Sequence, residues 1–249
     1  MSRRPASPYA SSFSFGPGPI STTLQLLIGA NVVMFVAQVL FPIVTALLGL
    51  HPALVLHSFW IWQLATYMFL HGGVFHIVFN MLALWMFGAE LERTWGTRYF
   101  LKFYFVTGIG AAVLTVLFSL LPFGFARQLQ DVNIIGASGA IYGLLLAYAI
   151  YFPERPILLI VFWVPARLCV TILGAIAVFA SLTEAGGVAN ATHLGGLLVG
   201  YLYLKGSNSN VDPISEMKYR YLKWKINRLR KKFDVYSGGR ADDWDRRVH

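Results

Sequence analysis

Residues 23–48 read TLQLLIGANVVMFVAQVLFPIVTALL and contain no charged side chain. They belong to a longer region, from Thr22 to Ala89, that has no Asp, Glu, Lys or Arg. Charged residues make up 12% of the whole chain, against about 25% in soluble proteins. Because a soluble domain of this size needs charge on every surface element, the composition predicts an all-α membrane protein with lipid around its middle.

Apolar segments long enough, or nearly long enough, to cross a bilayer recur along the chain, and a crossing takes about 20 helical residues. They predict a bundle of six transmembrane helices within a membrane domain, residues 23–205. The segment between residues 49 and 75 is apolar but is interrupted by His51-Pro52 and Gly72-Gly73. It therefore predicts a long first loop that lies partly in the membrane. The predicted spans are residues 23–48, 76–92, 99–121, 138–152, 166–183 and 191–205.

The distribution of basic residues predicts how the bundle is oriented. Cytoplasmic loops of membrane proteins carry an excess of Lys and Arg. With six spans, Arg3, Arg4 and the C-terminal tail fall on one side, and Arg127 is the basic residue that falls on the other. Both termini are therefore predicted to be cytoplasmic. A compact chain without a transit peptide favours a bacterial plasma membrane.

The two ends of the chain differ from the membrane domain in composition. Residues 1–22 are rich in Pro, Ser and Gly and predict a disordered cytoplasmic N-terminus. Residues 206–249 predict a basic, partly amphipathic tail that binds anionic lipid headgroups. A partly ordered, solvated tail is the alternative. Because most of the 20 Lys and Arg residues lie after Leu204, no nucleic-acid partner is expected.

Ser138 lies in the string Gly136-Ala137-Ser138-Gly139, at the start of the fourth predicted span. That span gives only about 22 Å of helix against a hydrocarbon core of about 30 Å. Its helix is therefore expected to begin below the outer surface, with Ser138 at the N-terminus. Backbone N–H groups and the helix dipole favour negative charge there. We interpret Ser138 as a nucleophile, and a helix-capping serine is the alternative.

His193 lies near the start of the sixth predicted span and can accept the proton of a serine hydroxyl. Small residues recur at a spacing of four on its helix and on the serine helix, which lets helix backbones approach closely in lipid. If these faces meet, Ser138 and His193 lie together at one depth. The nearest acid, Glu184, is separated by a glycine pair, so we predict a dyad. The small residues are Gly139 and Gly143 on one helix and Gly196 and Gly200 on the other.

His76 and Asn80 are four residues apart and share one face of the second predicted span. Both side chains can donate hydrogen bonds, which suits an oxyanion hole beside a serine nucleophile. A polar pair that holds two helices together is the alternative.

Three segments resemble the signatures of rhomboid intramembrane serine proteases, in the same order and with consistent spacing. They are His71-Gly-Gly-Val-Phe-His76-Ile-Val-Phe-Asn80, Gly136-Ala-Ser138-Gly139-Ala-Ile-Tyr142-Gly143 and His193-Leu-Gly-Gly196-Leu-Leu-Val-Gly200. The resemblance implies a six-helix bundle whose active site opens to the outer side through a water-filled cavity.

The resemblance also implies roles for individual residues. Ser138 and His193 would form the dyad, and His76, Asn80 and the backbone N–H of Ser138 would bind the oxyanion. Tyr142 matches the ring that packs on the family's catalytic histidine. The glycines Gly136, Gly139 and Gly196 support the site, and Glu92 with Gly96 resembles a structural element at the end of the second helix.

One position departs from the family pattern. The first loop of that family usually carries a Trp-Arg pair, and this chain has Trp62-Gln63 in the corresponding place. Loss of the arginine is expected to affect how the loop sits in the membrane rather than the chemistry.

Other functions are disfavoured by residue content. A zinc protease needs His-Glu-x-x-His, which is absent, and an aspartyl protease needs paired aspartates, but Asp131 lies in a predicted external loop and Asp212 in the tail. No metal site and no cofactor are therefore expected. The single cysteine, Cys169, excludes an internal disulfide and is interpreted as a buried apolar side chain.

The predicted function is therefore an intramembrane serine endopeptidase that cuts transmembrane protein substrates. A catalytically silent relative that binds membrane-protein clients is the main alternative. A transporter or channel is disfavoured because the sequence has neither an inverted repeat nor ionisable residues along several spans.

Overall fold

The computed structural model describes residues 19–159, 162–181 and 187–206, together with residues 223, 225 and 226. Contacts divide the chain into two compact units, residues 1–207 and 208–249. In the second unit only the three isolated helical positions are described, so the predicted amphipathic tail lies otherwise outside the described residues. The predicted disordered N-terminus also lies outside them as far as residue 18.

Helices dominate the first unit. Two short 3₁₀ turns, Tyr67–Phe69 and Leu129–Asp131, follow the fourth and seventh helices. The described helices of this unit are α1 (Thr22–Leu40), α2 (Ile43–Leu48), α3 (Pro52–Ser58), α4 (Gln63–Thr66), α5 (Val74–Trp95), α6 (Thr97–Phe118), α7 (Gly124–Gln128), α8 (Ser138–Tyr151), α9 (Ala166–Ser181) and α10 (Gly187–Gly206).

The long helices follow the predicted spans, with one correction. Of the described helices, α1, α5 and α6 are long and apolar enough to cross a membrane, while α8 and the first part of α9 are shorter apolar helices. The predicted span 23–48 is wrong in its second half, because α1 ends at Leu40. The N–H of Phe41 closes the last turn on the Ala37 carbonyl at 2.8 Å, and Pro42 has no N–H with which to continue the helix.

The expectation of an all-α fold is wrong for the connection between α8 and α9. Strands β1 (Pro156–Leu159) and β2 (Phe162–Pro165) pair there as an antiparallel hairpin. The strands are rich in β-branched, aromatic and leucine side chains and have a proline at each outer end, where no ladder hydrogen bond is lost. Arg155 precedes β1 and forms an ion pair with Glu90 of α5, which ties the hairpin to the bundle.

Helices α6, α8 and α10 form the centre of the unit, each in contact with the other two. Helix α5 packs against α6 and α8, α1 packs against α5, and α9 packs against α8 and α10. The side chains of Phe103, Tyr104 and Leu144 are fully buried between these helices. The catalytic candidates of the sequence lie on α5, α8 and α10 and are therefore carried by the centre and its nearest neighbour.

Glu92 joins three helices at one end of the bundle. Its carboxylate accepts hydrogen bonds from the hydroxyls of Ser21 (2.5 Å) and Thr97 (2.7 Å). Ser21 also caps α1, because its hydroxyl accepts the N–H of Leu24 at 3.1 Å. One acidic side chain thus fixes the start of α1, the end of α5 and the start of α6.

The segment between α1 and α5 is held by side chains that bond its own backbone. Gln63 is fully buried, and its amide accepts the N–H of His51 at 3.0 Å and donates to the Leu47 carbonyl at 3.3 Å. The indole of Trp62 donates to the same carbonyl at 3.0 Å, and the Thr66 hydroxyl donates to Leu48 at 2.7 Å. Trp62 and Gln63 therefore cap the end of α2 with two donors, while the amide oxygen of Gln63 bonds the start of α3. A neutral amide supplies both the donor and the acceptor.

We expect Gln63→Leu to lower the free energy of unfolding by about 1–3 kcal/mol, because the change leaves the N–H of His51 without a partner and removes one of the two donors to the Leu47 carbonyl. The measurement is the thermal unfolding midpoint of the purified protein in detergent. Gln25→Leu is the matched control, since the amide of Gln25 makes an exposed hydrogen bond to Ile20. Equal midpoints for the two variants would contradict the capping role of Gln63.

Candidate active site

Ser138 is the first residue of α8, and the turn before it depends on glycine. Gly136 has a φ of +133°, which side chains disfavour, and its N–H donates to the carbonyl of Tyr67 at 3.0 Å. A Cβ atom on Gly136 would lie 3.0 Å from Nε2 of His76 and 3.6 Å from Oγ of Ser138. The missing side chain therefore leaves space between the serine hydroxyl and the histidine ring.

The structure brings Ser138 and His193 into direct contact. Nε2 of His193, on α10, lies 2.8 Å from Oγ of Ser138. This distance is that of a hydrogen bond between a nucleophile and its general base.

The contact depends on a close approach of the two helices that carry these residues. A Cβ atom on Gly196 would lie 1.9 Å from the carbonyl oxygen of Gly139, and one on Gly200 would lie 3.1 Å from Cα of Gly143. The two faces of small residues found in the sequence thus meet, and no side chain fits between them at Gly196. Their contact sets Ser138 and His193 at the same level of the bundle.

Tyr142 lies one turn beyond Ser138 and stacks on the His193 ring. The ring centroids are 4.3 Å apart and the planes differ by 7°. Nδ1 of His193 is buried and has no hydrogen-bond partner among the residues that the structure describes. Within that part of the chain, ring stacking and the placement of α10 orient the imidazole.

His76 and Asn80 lie on α5, beside the serine turn. Nδ1 of His76 accepts the N–H of Gly72 at 3.2 Å, so its Nε2 carries the proton and faces Gly136 as a donor. Asn80 is buried, and its amide donates to the carbonyl of His76 in its own helix at 2.9 Å. The structure thus brings the His76 ring to the serine turn, whereas the amide of Asn80 is engaged within α5.

A second histidine supports the first. The ring of His71 is fully buried and contacts the His76 ring edge to face, with the centroids 5.1 Å apart. Burial, together with the neighbouring His76, lowers the pKa of His71 to about 4, so this ring is neutral at physiological pH. The backbone of His71 is clamped by the amide of Gln38, which donates to its carbonyl at 2.5 Å and accepts its N–H at 2.9 Å.

Tyr67 is a supporting residue that sequence reasoning missed. Its carbonyl holds Gly136, and its buried hydroxyl donates to the carbonyl of Gly108 on α6 at 2.8 Å. Two backbone hydrogen bonds between Leu50 and Ile134, of 2.9 and 2.8 Å from nitrogen to oxygen, hold the chain just before Gly136. Main-chain groups do most of this work, so no side-chain pattern could reveal it.

Within the described ranges, no group of three or more His, Cys, Asp and Glu side chains is placed to hold a metal ion. Cys169 is buried and has a free thiol.

Several apolar helices long enough to cross a membrane define a polytopic membrane protein, and in it a serine hydroxyl lies 2.8 Å from a histidine ring nitrogen. Residues 58–206 match the Rhomboid domain, which is more than half of the chain. The protein belongs to the rhomboid family, whose members include intramembrane serine proteases.

Individual relatives extend this match. The mitochondrial rhomboid protein 1 of Saccharomyces cerevisiae is 37% identical over 137 residues, which cover 54% of this chain and 38% of the yeast protein. The rhomboid protease AarA of Providencia stuartii is 29% identical over 215 residues, covering 76% of this chain and 73% of AarA. The rhomboid protease GluP of Bacillus subtilis is 39% identical over 84 residues, covering 34% of this chain and 14% of GluP. The match to the yeast protein thus spans well under half of that protein's length.

Gly196→Ala is expected to destabilise the protein by about 1–3 kcal/mol, because the new methyl group forces α10 away from α8. The thermal unfolding midpoint in detergent measures this loss. Gly29→Ala on α1 is the control, since a Cβ atom there meets nothing within 4 Å. A Gly196→Ala midpoint at or above that of the control would show that the two helices do not approach as described.

Proposed function

We propose that this protein is an intramembrane serine endopeptidase that hydrolyses peptide bonds in or near transmembrane segments of membrane proteins. The observation that carries the proposal is the 2.8 Å separation between Oγ of Ser138 and Nε2 of His193 inside a bundle of apolar helices. The family match supports it, since two of the relatives are named rhomboid proteases.

In the proposed reaction, Nε2 of His193 takes the proton of Ser138 while Oγ bonds to the carbonyl carbon of the substrate. The same proton passes to the leaving nitrogen as the peptide C–N bond breaks, which leaves an acyl-enzyme. A water molecule, deprotonated by His193, then attacks the ester, and the serine regains its hydrogen as the product acid leaves. No metal or organic cofactor is required for these steps.

The negative charge on the substrate oxygen needs donors beside Ser138. The Nε2–H of His76 borders the space next to Gly136, and the first N–H groups of a helix have no partner within it. We assign the oxyanion to His76 and the backbone N–H of Ser138. Asn80 joins them with the amide hydrogen that it does not give to its own helix.

The proposed membrane topology is inferred from the distribution of Lys and Arg residues and not from the geometry of the site. Six spans, with α10 as the last, place both termini in the cytoplasm and the serine turn toward the outer side. The proposed location is a bacterial plasma membrane. The basic tail is proposed to bind anionic lipid headgroups, with no nucleic-acid partner.

The proposed dyad predicts that Ser138→Ala and His193→Ala both abolish cleavage of a labelled model transmembrane substrate in liposomes. Each variant is first shown to have the thermal unfolding midpoint of the native protein. Cleavage that persists in Ser138→Ala excludes that residue as the nucleophile. A native protein that binds such substrates without cutting them would instead be a catalytically silent member of the family.

The proposed oxyanion hole predicts that His76→Ala and Asn80→Ala each lower kcat by about 10²–10³, the usual share of one oxyanion donor. The loss should be larger for His76, whose ring already faces the serine turn. Thr94→Ala is the control on the same helix, because its exposed hydroxyl bonds the carbonyl of Glu90 far from the site. A variant with unchanged kcat removes its residue from the proposed oxyanion hole.

A further inference from the structure

The orientation of His193 lacks the support that a third catalytic residue would give. Its Nδ1 is buried without a hydrogen-bond partner in the described part of the chain, so the position of the ring depends on Tyr142 and on α10 itself. The rotation and depth of α10 at this point therefore decide whether Nε2 meets Oγ of Ser138.

A buried hydroxyl pair joins α10 to α6 one residue before His193. The Oγ1 atoms of Thr192 and Thr115 lie 3.0 Å apart, and the two residues are 2% and 1% exposed. The Thr115 hydroxyl also lies 2.8 Å from the carbonyl of Ala111 in its own helix, to which it donates. Because a hydroxyl has a single hydrogen to donate, Thr192 is the donor in the pair. This hydrogen bond connects two different helices and has a defined direction.

Thr192 also lies where three helices meet. Its methyl carbon is 3.2 Å from the position that a Cβ atom on Gly139 would take, so it packs against the residue that follows Ser138. Three residues along α10, a Cβ atom on Gly195 would lie 3.1 Å from the backbone of Ala111 on α6. The hydroxyl of Thr192 thus faces α6 while its methyl group faces α8, and both contacts fix α10 beside the histidine.

We propose that Thr192 and Thr115 are positioning residues that hold His193 at hydrogen-bond distance from Ser138. This inference rests on the proposed function. Neither threonine touches the reacting atoms, and each acts through the placement of α10. Thr192 precedes His193 and restrains it through the hydrogen bond to α6. It thereby supplies part of the orientation that a third catalytic residue would give the histidine directly.

The test compares Thr192→Val, Thr115→Val and the double variant with Thr192→Ser. Valine keeps the shape of threonine and removes the hydroxyl, whereas serine keeps the hydroxyl. Thr107→Val is the matched control, because Thr107 is buried on α6 and its hydroxyl donates to the Phe103 carbonyl of its own helix at 2.7 Å. The full chain in liposomes is assayed for kcat and KM with a labelled transmembrane substrate, for the rate of Ser138 labelling by a fluorophosphonate, and for its thermal midpoint.

Each valine variant should lower kcat and the labelling rate by about tenfold with little change in KM, since small misplacements of catalytic groups cost up to about 10²-fold. The double variant should lose no more than either single variant, because both remove one shared interaction. Thr192→Ser should remain near the native rate, and Thr107→Val should match the native kcat.

Three results would overturn the inference. The first is a kcat for the valine variants equal to that of Thr107→Val, the second is losses that multiply in the double variant, and the third is a serine variant as slow as valine. If the native chain neither cleaves nor labels above Ser138→Ala, the proposed function fails and takes the inference with it. If the native chain is active and the valine variants are equally active, the inference alone fails.

Discussion

The close approach of α8 and α10 at Gly139 and Gly196 is the constraint on which the site depends. Lipid is as apolar as leucine, so no hydrophobic force draws two helices together within a bilayer, and packing must supply the attraction. Glycine permits backbone contact there, and this contact brings Ser138 and His193 to one level. The distance between Oγ of Ser138 and Nε2 of His193 is therefore a consequence of helix packing, and a single methyl group on Gly196 would clash with the carbonyl of Gly139 and alter it.

The requirement to satisfy backbone polar groups in an apolar medium shapes the remainder of the site. In the connection between α1 and α5, side chains such as Gln63 form hydrogen bonds with the backbone at the end of α2 and at the start of α3. In the same connection, the carbonyl of Tyr67 accepts a hydrogen bond from the N–H of Gly136 in the turn before Ser138. A segment that first has to satisfy its own hydrogen bonds thus becomes the support of the serine turn. The neutral amide of Gln63 fits this buried position without the cost of a charge.

Much of this arrangement could be predicted because polar residues in an apolar sequence are conspicuous. The scarcity of charged residues located the long helices. The free-energy cost of placing polar side chains within the membrane singled out Ser138 and His193. The end of α1 at Leu40 was missed because the apolar run continues past Pro42, although a proline cannot continue a helix with its own N–H. The hairpin between α8 and α9 was missed because a short apolar stretch has no period that separates strand from helix. Main-chain contacts such as that of Tyr67 have no sequence signature at all.

The absence of a carboxylate near His193 in the described structure has a physical rationale. An ionised side chain at the centre of a bilayer costs about 2.5–3.5 kcal/mol on insertion scales. An aspartate buried between apolar helices beside His193 would likewise hold a charge away from water and would reduce the stability of the bundle. A stacked tyrosine ring and a hydroxyl pair between helices add no charge, and each removes freedom from the imidazole or from the helix that carries it. Under the proposed mechanism, the rigidity of the helix bundle then takes over the role of orienting His193.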